Sequence, residues 1–296
     1  MTFLEYYLQI LIFTAALPLG FGLAVYFCYR AFCSLVGCGR GKPILFFLHV
    51  ILTPIREFAH LVACIVSFHR VSDFCLLNPY DPEGEIGFVE HSYNRKNPVA
   101  VFGNYLFAML PAVLGLFLSM VVVMVCFRGV FGDLSREVAA LVEAEAGFGE
   151  YAKVALDFFP AMFRDATSGM LAKIVGCLLL LLISLGVYVS LDDLYSAFSG
   201  MLLYAVLAMV FAGVTALFDA RSRRLILTWL RTFSTGVTAL YTVVLIFALV
   251  AVFIGFLVFL YRTFFGEGKA QLPVYVDQRS DTEDDDDDDY GDDRYQ

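Results

Sequence analysis

The feature that most limits this chain is a series of apolar runs, each long enough to cross a bilayer. About 20 mostly apolar residues carry a helix across the hydrocarbon core. Six such runs can be read, at about 8–29, 44–68, 99–127, 170–189, 195–218 and 233–261. The short alternating segments of a barrel are missing, so helices are the expected spanning elements. Composition agrees. The chain is 60% hydrophobic and 17% charged, where a soluble domain carries about a quarter charged residues. The expected fold is therefore an all-α polytopic membrane bundle. The first run lacks a preceding basic segment and is expected to be a retained helix. The bilayer is the first partner the sequence implies. No basic–aromatic surface points to nucleic acid.

The charge is unevenly placed. The 296 residues carry a net −9. Residues 277–296 hold eleven acids against Arg279 and Arg294, so the whole excess sits in this segment. Such a block repels itself and has no apolar surface to bury, so a disordered acidic tail is expected after a membrane domain of residues 1–276.

The connections differ in character. Residues 69–98 contain the turn signals Asn78-Pro79, Asp81-Pro82 and Glu83-Gly84, then a strand-like piece from Ile86 to Val89. A short β-hairpin near the membrane is expected. Residues 128–169 show helical apolar spacing at Val138, Leu141 and Val142, and again from Tyr151 to Met162. These read as one or two amphipathic helices on the membrane surface, with Pro160 leaving the end of the second open. Ser190 and Asp193 have capping-box spacing for the fifth span. The Lys/Arg distribution over the loops would place both termini outside the cytoplasm, the reverse of what the resemblance given below implies. With six spans, both termini, the hairpin and Asp192-Asp193 share one side.

The second span carries the chemistry. At about 100° per residue, His49, Thr53, Glu57, His60, Cys64 and Ser67 fall within roughly an 80° sector, with Arg56 at its edge. A polar stripe at membrane depth faces other helices or water, not lipid. The bland reading is a buried polar network of Arg56, Glu57, His60, His49 and Thr53 that fixes helix packing. Pairing of Arg56 with Asp192 or Asp193 across the bundle is the sharper version. All four histidines (49, 60, 69 and 91) fall within 43 residues. His69 and His91 are read first as loop histidines bonded to backbone. A shifted metal site of His60, Cys64 and an aspartate is one alternative, and the histidine clustering invites a separate metal reading that includes His91.

The segment Arg56-Glu57-Phe58-Ala59-His60 differs by one residue from HExxH, where two histidines hold zinc and the glutamate activates water. With Thr53-Pro54 before it, Gly87-Phe88-Val89-Glu90-His91-Ser92-Tyr93 after it, and then Gly103-Asn104 and Leu110-Pro111, residues 44–127 resemble the site-2 protease family of intramembrane zinc metalloproteases. The resemblance implies that Glu57 matches the catalytic glutamate, His60 the second histidine ligand, and Asp192 or Asp193 the third ligand. Arg56 stands where the first histidine would be. The resulting expectation is a site-2-protease-like protein of a bacterial cytoplasmic membrane, without zinc catalysis or cofactor. It would bind or scaffold a membrane segment or partner subunit. An active zinc metalloprotease is one alternative. A transporter or channel lined by the polar stripe is the other.

Overall fold

The computed structural model describes residues 3–37, 42–78, 86–144, 146–186, 188–218 and 220–265. The turn signals between Pro79 and Glu85 and the acidic tail lie outside the described residues. Helices α1 (Phe3–Leu11) and α2 (Leu17–Val36) are joined by a π-helical turn, Ile12–Ala16. Pro18 has no N–H to give the Thr14 carbonyl. The Tyr105 hydroxyl donates to that carbonyl instead, at 3.0 Å. Next come α3 (Lys42–Val66), strands β1 (Arg70–Cys75) and β2 (Phe88–Ser92), and α4 (Pro98–Cys126). The Asn97 side chain caps α4 by accepting from the Val99 N–H at 3.0 Å, with Pro98 in the first turn. The remaining helices are α5 (Val130–Glu143), α6 (Phe148–Arg164), α7 (Met170–Ser184), α8 (Leu191–Ala216) and α9 (Ala220–Phe265).

Among the described residues, five stretches are long and apolar enough to cross a membrane: Tyr7–Val36, Pro43–Val66, Pro98–Cys126, Leu191–Thr215 and Thr228–Phe265. This is a helical membrane protein, with one small two-stranded sheet among the described residues. The fourth run behaves differently from its sequence reading. Helix α7 has 15 residues, about 22 Å of rise, and stops at Ser184. Leu185 and Gly186 form a turn, and Tyr188, Val189 and Ser190 are non-helical and buried. Val189 packs on Gly22 so closely that a Cβ there would meet its Cγ2 at 2.7 Å. Irregular backbone at such depth is tolerated where protein covers it.

Helix α4 is the centre of the bundle and touches α3, α5, α7, α8 and α9. Its small buried residues, Ala100, Gly103, Asn104, Ala108, Ala112 and Gly115, let these neighbours approach. Helix α8 answers with Ala197 and Gly200, while Tyr195, Phe198, Leu202 and Val210 stay exposed, as lipid-facing residues do.

The two helices of the 128–169 region pack against the bundle. Val130, Leu134 and Val138 of α5, and Tyr151, Ala155, Phe158 and Met162 of α6, belong to the main core. Phe159 packs edge-on against Phe247 of α9 at 6.1 Å. Much of this apolar surface is covered by the bundle, while Leu156 and Phe163 of α6 stay exposed. Asp133, Glu137, Lys153 and Asp157 are exposed as well. The end left open at Pro160 falls at Arg164, with the proline inside α6.

Candidate functional site

The α3 stripe meets a partner at each level. The His49 Nε2 bonds the Tyr29 hydroxyl at 2.7 Å. Thr53 faces the hairpin, with its methyl 2.9 Å from where a Cβ on Gly87 would stand. One turn on, Arg56 donates from Nη2 to Asp193 Oδ2 at 3.0 Å and from Nη1 to the Tyr188 hydroxyl at 3.2 Å. Its guanidinium also lies 5.2 Å from the Tyr188 ring centroid, a cation–π contact. His60 Nε2 stands 4.0 Å from Asp193 Oδ1, an electrostatic contact rather than a hydrogen bond. Glu57 is buried beside them, and its charge contributes to the field at Arg56.

Asp193 reaches this place because of its own helix start. Ser190 Oγ accepts from the Asp193 N–H, and Asp193 Oδ2 accepts from the Ser190 N–H, each at 3.1 Å. This is the capping box expected from the spacing. One carboxylate therefore caps α8 and neutralises Arg56. Asp192, the other candidate third ligand, is exposed and lies outside the cluster.

A second cluster forms at the far end of α3. The helix stops in a Schellman turn: the His69 N–H bonds the Cys64 carbonyl at 2.9 Å and the Phe68 N–H bonds the Ile65 carbonyl at 3.4 Å. Phe68 takes the left-handed conformation (φ 59°) that usually goes to glycine. The turn swings His69 back beside Cys64 and launches β1. Strand β2 pairs antiparallel, with Val71 opposite His91 and a register irregularity between Val71 and Asp73. Side chains alternate along a strand, so His69, Val71, His91 and Tyr93 share one face. The His69 ring stacks on His91 at 5.0 Å and on Tyr93 at 5.3 Å. Its Nε2 donates to the Ala100 carbonyl at 2.8 Å. Burial, and secondarily the neighbouring His69, push the His91 pKa below its ordinary value.

Phe107 separates the two clusters. Its ring lies 4.1 Å from that of His60 and 4.4 Å from that of His91. Pro111 deprives the Phe107 carbonyl of its helical donor, and His60 lies against that backbone. Tyr188, Tyr29 and Phe107 have no sequence signal of their own. Only the packing of separate helices brings these aromatics to the stripe.

Zinc is the metal the resemblance implies, and the α3 motif does not fit it. Arginine stays protonated and offers no lone pair. Its guanidinium also holds Asp193, the one carboxylate of the 192–193 pair within reach. His60 is left as the sole histidine of the motif. No protein-family model, curated protein or solved structure matches this chain.

The hairpin docks where α4 is smallest. A Cβ on Gly103 would lie 2.2 Å from the Ser67 Cβ and 2.7 Å from His69 Nε2. Gly103→Ala is therefore expected to push the Schellman turn off α4 and break the His69–Ala100 bond. The cost should be about 1–3 kcal/mol. Limited trypsin digestion checks it, since Arg70, Arg95 and Lys96 are exposed on this segment. Cleavage there should quicken in the variant. Unchanged cleavage would mean the hairpin is held by something else.

Proposed function

We propose that this protein is a site-2-protease-like membrane component that binds or scaffolds a membrane segment and has exchanged zinc for a built-in cation. The observation that carries this reading is the Arg56–Asp193 pair at 3.0 Å. The guanidinium sits on the motif's first-ligand position and neutralises the third-ligand carboxylate. A fixed cation there satisfies the buried acid without a metal. It cannot polarise a carbonyl or acidify water as a metal does.

The hairpin supports the binding half of the reading. It runs back along α3 from His69 to the level of Thr53, with Ser72, Asp73, Phe74 and Glu90 exposed. A two-stranded sheet has open edges, and an open edge beside a helix accepts an extended segment as an added strand. A photocrosslinker at Phe74 in native membranes should capture a membrane protein. One at the lipid-facing Phe211 should give lipid adducts only. Equal patterns from both positions would remove the hairpin as a binding element.

The loss of metal has its own test. Arg56→His restores the i, i+4 pair on one helix face and frees Asp193. It should add one zinc per chain, lost again when His60→Gln is combined with it. If a well-folded Arg56→His protein gains no zinc, the α3 motif and Asp193 do not form the site the resemblance implies. If the unaltered protein already binds zinc through His60, the exchange did not occur.

A further inference from the structure

We propose that Cys64, His69 and His91 form a binding site for one zinc-class ion, separate from the Arg56 motif, which clasps the β-hairpin to the end of α3. The ligand atoms of the three side chains all lie within 4.8 Å of one another. A tetrahedral zinc site with Cys and His ligands separates its donors by about 3.5 Å. The three groups must therefore draw in by roughly 1 Å, and His91 rides on a two-stranded hairpin able to make that adjustment.

The chemistry of each group fits. The Ala100 carbonyl can only accept, so it fixes His69 Nε2 as the N–H and leaves the lone pair of a neutral ring on Nδ1. His69 is 8% exposed, and its Nδ1 is buried without a hydrogen-bond partner. An orphaned buried acceptor is costly, and a metal would satisfy it. Holding one ring nitrogen on a backbone carbonyl while the other binds is the usual arrangement around a zinc histidine. His91 stacks on the His69 ring at 5.0 Å, which places its imidazole beside the same point. Cys64 is fully buried. It binds as thiolate, its proton passing to solvent as the sulfur–metal bond forms. Water takes the fourth position.

The arrangement also accounts for Phe68. A phenylalanine held at positive φ is strained by about 1 kcal/mol or more. That turn sets Cys64 and His69 on the same side of the chain. The site stands apart from the Arg56 cluster, with the Phe107 ring between them, and does not depend on the function proposed above.

The test uses the full chain in detergent, purified without a histidine tag, stripped with chelator and titrated with zinc and then cobalt. One zinc per chain is expected, with a thiolate-to-cobalt charge-transfer band. Cys64→Ser should abolish the band, and His91→Gln should lower affinity at least tenfold, whereas His49→Gln should leave both unchanged. Zinc should also slow trypsin cleavage at Arg95 and Lys96. If Cys64→Ser does not fold, the cobalt spectrum of the unaltered protein and the His91→Gln titration decide. No stoichiometric metal, or metal unaffected by His91→Gln, overturns the site. Metal lost on His60→Gln but kept in His91→Gln would place it at the α3 motif. That outcome would overturn the zinc-for-arginine exchange as well, whereas absence of metal overturns this site alone.

Discussion

Arg56→Ala is expected to lower the unfolding midpoint in detergent by an amount equivalent to about 3 kcal/mol, and Asp193→Ala to lower it further. Removing one member of a buried pair leaves the other charge uncompensated, at about 3–5 kcal/mol. The Arg56 side chain is 22% exposed and that of Asp193 8%, so the lower end applies to the arginine. Asp193→Ala also removes half of the capping box and exposes the Ser190 N–H, a further loss of about 1 kcal/mol. Asp193→Asn separates the two contributions. It keeps an acceptor for Ser190 while losing the charge, so it should fall between wild type and Asp193→Ala. The double change Arg56→Ala with Asp193→Ala should cost clearly less than the sum of the singles, because the first already destroys what the second would break. Additive effects would mean that the two side chains do not pair, and the argument for a built-in cation would go with them.

Gly200→Ala should be as damaging, for a steric reason. A Cβ at Gly200 would lie 2.6 Å from the Tyr105 backbone nitrogen, 2.8 Å from the Val101 carbonyl oxygen and 2.9 Å from the Tyr105 Cβ. Two of these are main-chain atoms of α4, so no rotamer change relieves the overlap. Helices α4 and α8 must move apart. The Asn104 Nδ2 bond to Ser199 Oγ, at 3.2 Å, should be lost with them, as should the stacking of Tyr105 on Tyr204 at 4.9 Å. A loss of about 2–3 kcal/mol is expected from overpacking at a backbone contact. Gly213→Ala on the same helix meets nothing within 4 Å and is the matched control. It should be neutral or slightly stabilising through helix propensity. Equal behaviour of the two variants would show that α8 does not sit against α4 at Gly200.

Much of the architecture could be read from local pattern alone. Apolar run length identified the spanning segments, because a helix in lipid must be long and apolar whatever its neighbours. The α3 stripe and the Ser190–Asp193 box were legible for a similar reason. Helical phase and capping are set within a few residues of chain. The antiparallel hairpin was legible from its alternating piece. The shortness of α7 was not, because Leu185 to Val189 is as apolar as the helix before it. Tertiary packing decides it, with Leu185 among Phe32, Leu52 and Ala251 and Val189 against Gly22. Nor was the fate of α5 and α6, since an amphipathic face reads the same whether lipid or a neighbouring helix will cover it.

The site divides in the same way. The sequence by itself determined that Arg56, Glu57, His60 and Cys64 share one side of a membrane helix. It could not choose between Asp192 and Asp193, which are adjacent in the chain and alike in type. The N-terminal geometry of α8 decides that, turning one carboxylate inward to Arg56 and leaving the other in the open. The meeting of Cys64 with His69 needs the left-handed turn at Phe68, and that of His69 with His91 needs the strand register. Turn geometry and register depend on what the hairpin packs against. Here that is the gap left by the missing side chain of Gly103, a contact between residues more than thirty positions apart that no local pattern specifies.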